Sequence, residues 1–396
     1  MKKYTVLIIF ILLIVNLYAQ SMETVNPEEY SWRMLQKAQT AYDQRDFGIS
    51  FKYAQTAKVN RKKESDWALA TLELAMKPVA VQKIGDDIDE VLAILKERDS
   101  HDAVLIIENI LANLPKDYFN YSIENIKNYI KKFTEYPEAD FLLGKIYGLE
   151  GEYTLSQSFL LKAWEHSDLL SIPEEKYDIL YEIASLSLMT GNMEKYEKSL
   201  LLITADDPNY IQNTNETGFS KSLVRAIKTG TSLDKFFLLY RNSSYNSMKA
   251  FFYLADYYNS QIHNTGDSDA LMQNTSQDNR ILLHDKVLTM SSMGVVSAVT
   301  RIEDVLKTRK LDYSYSSLEA LLKDISEYED IVTWGKKYDV WKGFYIFSLS
   351  VYDSGQTDFA EKLLSVLSQY CPDVYWSRAS KEKLVSIQST QKVLVH

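Results

Sequence analysis

One cysteine, Cys371, is all that the 396-residue chain contains. An internal disulfide is therefore excluded, and a four-thiolate structural zinc has no ligand set. Glycine (13) and proline (7) are also scarce, about 5% of the chain where roughly 12% is usual. That scarcity excludes an all-β chain with a turn every ten residues, and it excludes long Pro/Gly linkers. Five histidines leave little material for metal or acid–base chemistry. Cations are in deficit, 44 against 54 acidic residues, for a net charge of −10. An acidic chain without a basic block is a poor partner for nucleic acid and for an anionic membrane surface.

What is present begins with an address. Lys2 and Lys3 precede an unbroken ten-residue apolar run, Val6 to Val15, and Leu17-Tyr18-Ala19 ends on a small residue. This pattern is that of a secretory signal peptide cut after Ala19. The run is about half the length a membrane span requires, and no cysteine adjoins the cut, so a lipobox is absent. Losing Lys2 and Lys3 takes the net charge from −10 to −12. No later apolar run is of spanning length. The expected location is the periplasm or the medium, with no integral membrane span after signal removal.

Beyond residue 20 the hydrophobic spacing is helical. Asp66 to Lys77 places Trp67, Ala70 and Leu74 on one stripe, with Ser65 read as an N-cap and Pro78 as a stop. Ile88 to Lys96, Ala103 to Leu114, Ser122 to Phe133, Ile281 to Lys307 and Leu318 to Ile325 read as further helices. Asn259 to Arg280 is polar in composition and reads as a loop, as do the shorter Asn209 to Ser222 and Asn242 to Ser247.

Self-similarity organises these helices. Segment 137–170 carries Leu143, Gly144, Tyr147, Gly151, Tyr153, Ser156, Leu160 and Ala163 at positions 7, 8, 11, 15, 17, 20, 24 and 27 of a 34-residue unit. Segment 177–210 repeats the pattern with Ile183, Ala184, Gly191, Leu200, Ile203 and Pro208. An N-terminal copy, 31–64, offers Ala38, Ala41, Phe47, Ser50, Ala54 and Ala57. A C-terminal copy, 341–374, offers Ser348, Gly355, Ala360, Leu364, Leu367 and Pro372. Positions 8 and 20 hold small residues in seven of eight cases, Tyr196 being the exception. These residues resemble the tetratricopeptide repeat, although its tryptophan at position 4 is replaced by Met34, Asp140, Leu180 and Phe344. The resemblance implies an all-α chain of antiparallel helix pairs stacked into a right-handed superhelix, an α-solenoid. The expected organisation is a signal peptide over 1–19, helical repeats over 20–210, a degenerate helical region over 211–280 with its polar loop at 259–280, and C-terminal repeats over 281–396.

Catalytic constellations are hard to assemble. The Gly144, Gly148 and Gly151 cluster falls at packing and turn positions of the best repeat, not at a phosphate loop. Asp86, Asp87, Asp89 and Glu90 open a helix, where acids favour the positive dipole end. His263 with Asp267 and Asp269 lacks the spacing of a calcium loop. His101-Asp102 and His284-Asp285 are adjacent pairs that diverge on a helix, and Ser380 with Lys383 is a common chance pattern. No cofactor or metal is expected, and no enzymatic activity.

Forty-nine aromatic residues, among them 28 tyrosines, suit both interior wedges and contact surfaces. By the resemblance, the first helix of each pair lines an inner groove. The residues mapped there include Phe141, Lys145 and Leu149, then Tyr181, Ser185 and Met189, then Tyr345 and Tyr352. The expected function is a non-enzymatic interaction scaffold of a bacterial cell envelope, holding a protein or peptide segment in that groove. Two alternatives stay open: an envelope enzyme with Glu303 or His284 in a deep pocket, and a glycan-binding protein in which Trp334, Trp341 and Trp376 stack on sugars.

Overall fold

A computed structural model describes residues 29–76, 123–210, 218–264 and 273–394, and every regular element among them is a helix. By packing, the chain divides into two units, Met1–Leu186 and Ser187–His396. The composition boundaries near 210 and 280 both fall inside the second. The signal segment, both expected helices between 88 and 114, and the Asp86–Glu90 acids lie outside the described residues.

The first unit begins with α1 (Ser31–Asp43) and α2 (Phe47–Met76), joined by a tight turn that brings them into contact. Asp46 caps α2 by accepting from the Ile49 amide at 3.2 Å. Then come α3 (Ile123–Lys132), α4 (Pro137–Leu149), α5 (Tyr153–Glu165) and the start of α6 (Glu175–Met189). Small residues decide where backbones approach. Ala38, Ala54, Leu142, Leu143 and Ile146 form one core where α1, α2 and α4 meet, and Leu160, Ala163, Ile179 and Ile183 form a second between α5 and α6. A Cβ on Gly144 would stand 2.7 Å from the Leu160 side chain, so only glycine fits at that crossing.

Ser65 is not a cap. It lies inside α2, which runs unbroken from Phe47, and the adjoining Arg61, Lys62, Lys63 and Glu64 are good helix formers. The extra length has a use: Glu64 is buried and accepts from the Ser31 amide and hydroxyl, both at 2.6 Å, tying the start of α1 to α2.

The second unit contains α7 (Met193–Ala205), α8 (Phe219–Lys228), α9 (Leu233–Leu239), α10 (Met248–Asn264), α11 (Gln273–Arg309), α12 (Leu318–Ile325), α13 (Glu329–Lys337), α14 (Val340–Asp353), α15 (Thr357–Tyr370) and α16 (Val374–Leu394). Its centre is α11. Residues 290–300 are buried on every face, as expected of a helix enclosed by neighbours; α8, α10 and α14 pack on it. The Phe252 ring of α10 sits against Gly294 of α11 and Gly343 of α14, and a Cβ at either glycine would collide with it.

The polar stretch 259–280 is not a loop through its length. α10 continues to Asn264 and α11 starts at Gln273, leaving only 265–272 outside the described residues. Over 259–264 and 273–280 the polar composition sits on helical backbone. The 242–247 connection is non-helical and anchored at both ends by buried residues, Asn242 and Ser247: Asn242 donates from Nδ2 to Asp207 at 3.1 Å and to Ser297 at 2.9 Å, and from its backbone amide to Thr300 at 3.0 Å. Its polar residues complete a buried network.

One turn recurs five times among the described residues, once in each of the four segments and once at Gly230, φ 82°, where the Thr231 amide donates to the Ala226 carbonyl at 3.1 Å. In each 34-residue segment the residue at position 15 has a left-handed φ: Arg45 at 63°, Gly151 at 81°, Gly191 at 73° and Gly355 at 85°. In each, the amide at position 16 donates to the carbonyl at position 11: Asp46 to Ala41, Glu152 to Tyr147, Asn192 to Ser187 and Gln356 to Val351, at 2.8–3.2 Å. This is the helix-ending turn that satisfies orphan carbonyls. The four position-4 residues, Met34, Asp140, Leu180 and Phe344, are all buried, as are the four at each of positions 24 and 27.

Candidate binding surface

Side chains of α1, α4 and the part of α6 up to Leu186 that point away from these cores compose a surface on the first unit, while Met189 belongs to the second. Phe141 is half-buried, its inner edge packed on the core of Leu160, Ile179 and Ile183. One turn further along α4, the Lys145 ammonium stands 4.2 Å from the centre of the Tyr42 ring and 5.4 Å from that of Phe141. A cation between two ring faces is held by their quadrupoles while keeping access to water. Burial, then the charges of Glu182 and Asp43, push the Tyr42 hydroxyl above its ordinary pKa, so the ring stays a neutral donor at physiological pH. Tyr42 in turn packs edge-on against Phe47 at 5.5 Å.

Tyr181 is half-buried and Ser185 exposed on α6. Leu149 and Met189 close their helices as large apolar side chains 58% and 61% exposed. None of the mapped residues is buried. Trp32, 53% exposed at the start of α1 with Arg33 over its ring at 5.1 Å, and Tyr42 escaped the sequence reading. They occupy positions 2 and 12 of the N-terminal segment, so the repeat register itself carried the signal.

Tyr345 and Tyr352 lie on α14 in the second unit and form a separate patch. Tyr345 tilts against Trp376 at 5.4 Å, Tyr375 meets Trp376 edge-on at 4.7 Å, and Lys383 stands over Tyr352 at 5.4 Å.

Of the residues singled out for chemistry, His101-Asp102, Asp267 and Asp269 lie outside the described residues. Glu303 is buried, but its carboxylate pairs with Arg241 at 2.7 Å and Lys307 at 2.9 Å. His284 is partly exposed, its Nδ1 3.5 Å from Asp353. Trp341 is 1% exposed and cannot stack on a sugar, whereas Trp334 and Trp376 are half-buried. Ser380 is wholly buried while Lys383 is turned to Tyr352. Among the described residues no cluster of three or more histidine, cysteine or acidic side chains is arranged to hold a metal, and no helix is long and apolar enough to cross a membrane.

The chain is similar to an uncharacterized protein of Treponema pallidum, 26% identical over 356 residues and covering 90% of both chains. That alignment is long enough to include both units. An uncharacterized protein of Borreliella burgdorferi is 22% identical over 258 residues, 60% of this chain and 72% of the relative. No protein-family model matches the chain, and no solved structure matches it.

Proposed function

We propose that this protein is a non-enzymatic scaffold of the bacterial cell envelope, a divergent tetratricopeptide-like chain that docks a partner protein or peptide on the first helices of its pairs. The observation that carries this reading is the Tyr42–Lys145–Phe141 arrangement. Aromatic rings rooted in packed helices yet open to water are side chains enriched at protein contacts, and Lys145 beside them adds a charge that suits the polar rim of such a contact. The four matching turns, the buried small residues at positions 8 and 20, and the buried position-4 residues support the repeat register on which this surface was drawn. A surface held by helices loses little freedom when a segment docks, which favours affinity. The signal-like N-terminus supports an extracytoplasmic location, and the acidic net charge favours a partner with basic patches.

The test is affinity capture from cross-linked envelopes with a tag after His396, wild type beside a folded variant combining Phe141→Ala, Lys145→Glu and Tyr181→Ala. A defined protein retained by wild type and lost by the variant is the expected result. Retention of glycan fragments and no protein by wild type would overturn the scaffold reading in favour of glycan binding.

A further inference from the structure

A second site, independent of that surface, lies in the second unit. Lys221, Arg225 and Lys228 recur at i, i+4 and i+7 along one face of α8, whose opposite face buries Ser220, Leu223 and Ile227. With Asp285 and Thr289 of α11 they line a shallow cleft of about 390 Å³ that also includes Val224 and Thr229. Lys228 is taken, paired with Asp285 at 2.7 Å. Lys221 is half-buried, Arg225 is exposed, and neither meets an acid among the described residues. The cleft thus holds two uncompensated positive charges in a chain whose net charge is −10.

We propose that this cleft binds a phosphate dianion. Lys221 and Arg225 are one helical turn apart, about 6 Å of rise, which suits one compact group with two negative charges. The planar guanidinium of Arg225 matches two phosphate oxygens at once, and the Lys221 ammonium serves as a point charge for a third. A lone carboxylate would neutralise only one of the two. Val224 and the lysine stems form an apolar wall, which lowers the local dielectric and strengthens both contacts. The Thr229 and Thr289 hydroxyls already donate to the carbonyls of Ala226 at 3.2 Å and Asp285 at 2.7 Å, so the donors to the ligand are the two cations. Asp285 borders the cleft but is already paired with Lys228, so it leaves the charge of Lys221 and Arg225 available. The phosphate belongs either to a soluble phosphomonoester or to a lipid surface.

The experiment is calorimetric titration of the full chain with inorganic phosphate at low ionic strength. The double variant Lys221→Gln with Arg225→Gln is compared with Lys381→Gln, an exposed lysine on α16, each checked for helical content. Saturable one-to-one binding, at least tenfold weaker in the double variant and unchanged in the control, is expected. Co-sedimentation with phosphatidylcholine vesicles containing phosphatidic acid, lost in the double variant, would place the phosphate on a lipid; phosphate binding without co-sedimentation would place it on a soluble molecule. Neither phosphate binding nor co-sedimentation by wild type would overturn the proposal, and so would equal behaviour of the wild type and a folded double variant.

Discussion

The hydroxyl of Ser156 donates to the carbonyl of Gly144 at 2.7 Å, across the crossing of α4 and α5, and the hydroxyl of Ser50 does the same to Ala38 at 2.8 Å between α1 and α2. Both bonds link position 20 to position 8. A small residue on one helix lets the other approach, and the serine then satisfies a second lone pair on a carbonyl that the approach has removed from water. The bond is a consequence of the contact distance.

That distance should be intolerant of one extra carbon. Gly144→Ala brings its Cβ against Leu160 and is expected to destabilise by about 1–3 kcal/mol. Gly48→Ala, in a helix with nothing within 4 Å of the new Cβ, is expected to stabilise by about 0.5–1 kcal/mol. Urea unfolding of the two variants checks the opposite signs.

The recurrent turn yields a reciprocal pair. Gly191 has φ 73° and open space around its Cβ, so Gly191→Ala isolates the backbone cost, about 1–2 kcal/mol. Arg45 already bears that strain, and Arg45→Gly should raise stability by about 0.5–1 kcal/mol. Equal signs for the two substitutions in thermal melts would contradict the left-handed assignment.

Phe252 couples two glycines on different helices. Gly294→Ala and Gly343→Ala should each cost about 1–3 kcal/mol through the same ring. In the background of Phe252→Leu each penalty should shrink by at least half, giving a coupling energy that double-mutant cycles measure.

Asp140 is fully buried at position 4, paired with Lys58, and burial raises its carboxyl above the ordinary pKa while Lys58 opposes the rise. A raised folded pKa contributes stability that is complete below the unfolded value, about 3.9, and is lost as pH climbs through the folded value. Asp140→Asn lacks this titration. Its melting temperature relative to wild type should therefore increase between about pH 4 and pH 7. A flat or falling difference would mean that the Lys58 pair outweighs burial.

Burial, opposed by a backbone hydrogen bond at Asp373 and by the Lys336 charge but reinforced by the Asp373 charge, pushes the Cys371 thiol up to about 11. At pH 8 its reaction with a disulfide reagent should be slower in the native protein than in urea by about two orders of magnitude, because the thiolate is the reactive form.

The sequence was legible where a position needs one kind of side chain. The glycines at 151, 191 and 355 marked turns, and α12 has the bounds that its spacing predicts, Leu318–Ile325. Arg45 was silent because its turn is imposed by the same hydrogen bonds without the residue type that advertises them. Asp140 was silent as a core residue because its partner lies 82 positions earlier. Polar composition misled at 259–264 and 273–280, where the backbone is helical in spite of it. On the candidate surface, Phe141 and Lys145 followed from the register, whereas the Tyr42 ring that completes their arrangement required the α1–α4 contact.

The enclosure of α11 sets how the second unit comes apart. Residues 290–300 touch water on no face, and α8, α10 and α14 each cover part of the same cylinder. None of those three can detach without wetting a stretch that the other two still hold. Amide protons between 290 and 300 therefore trade with solvent only when the whole unit opens, and the slowest of them report its global unfolding free energy directly.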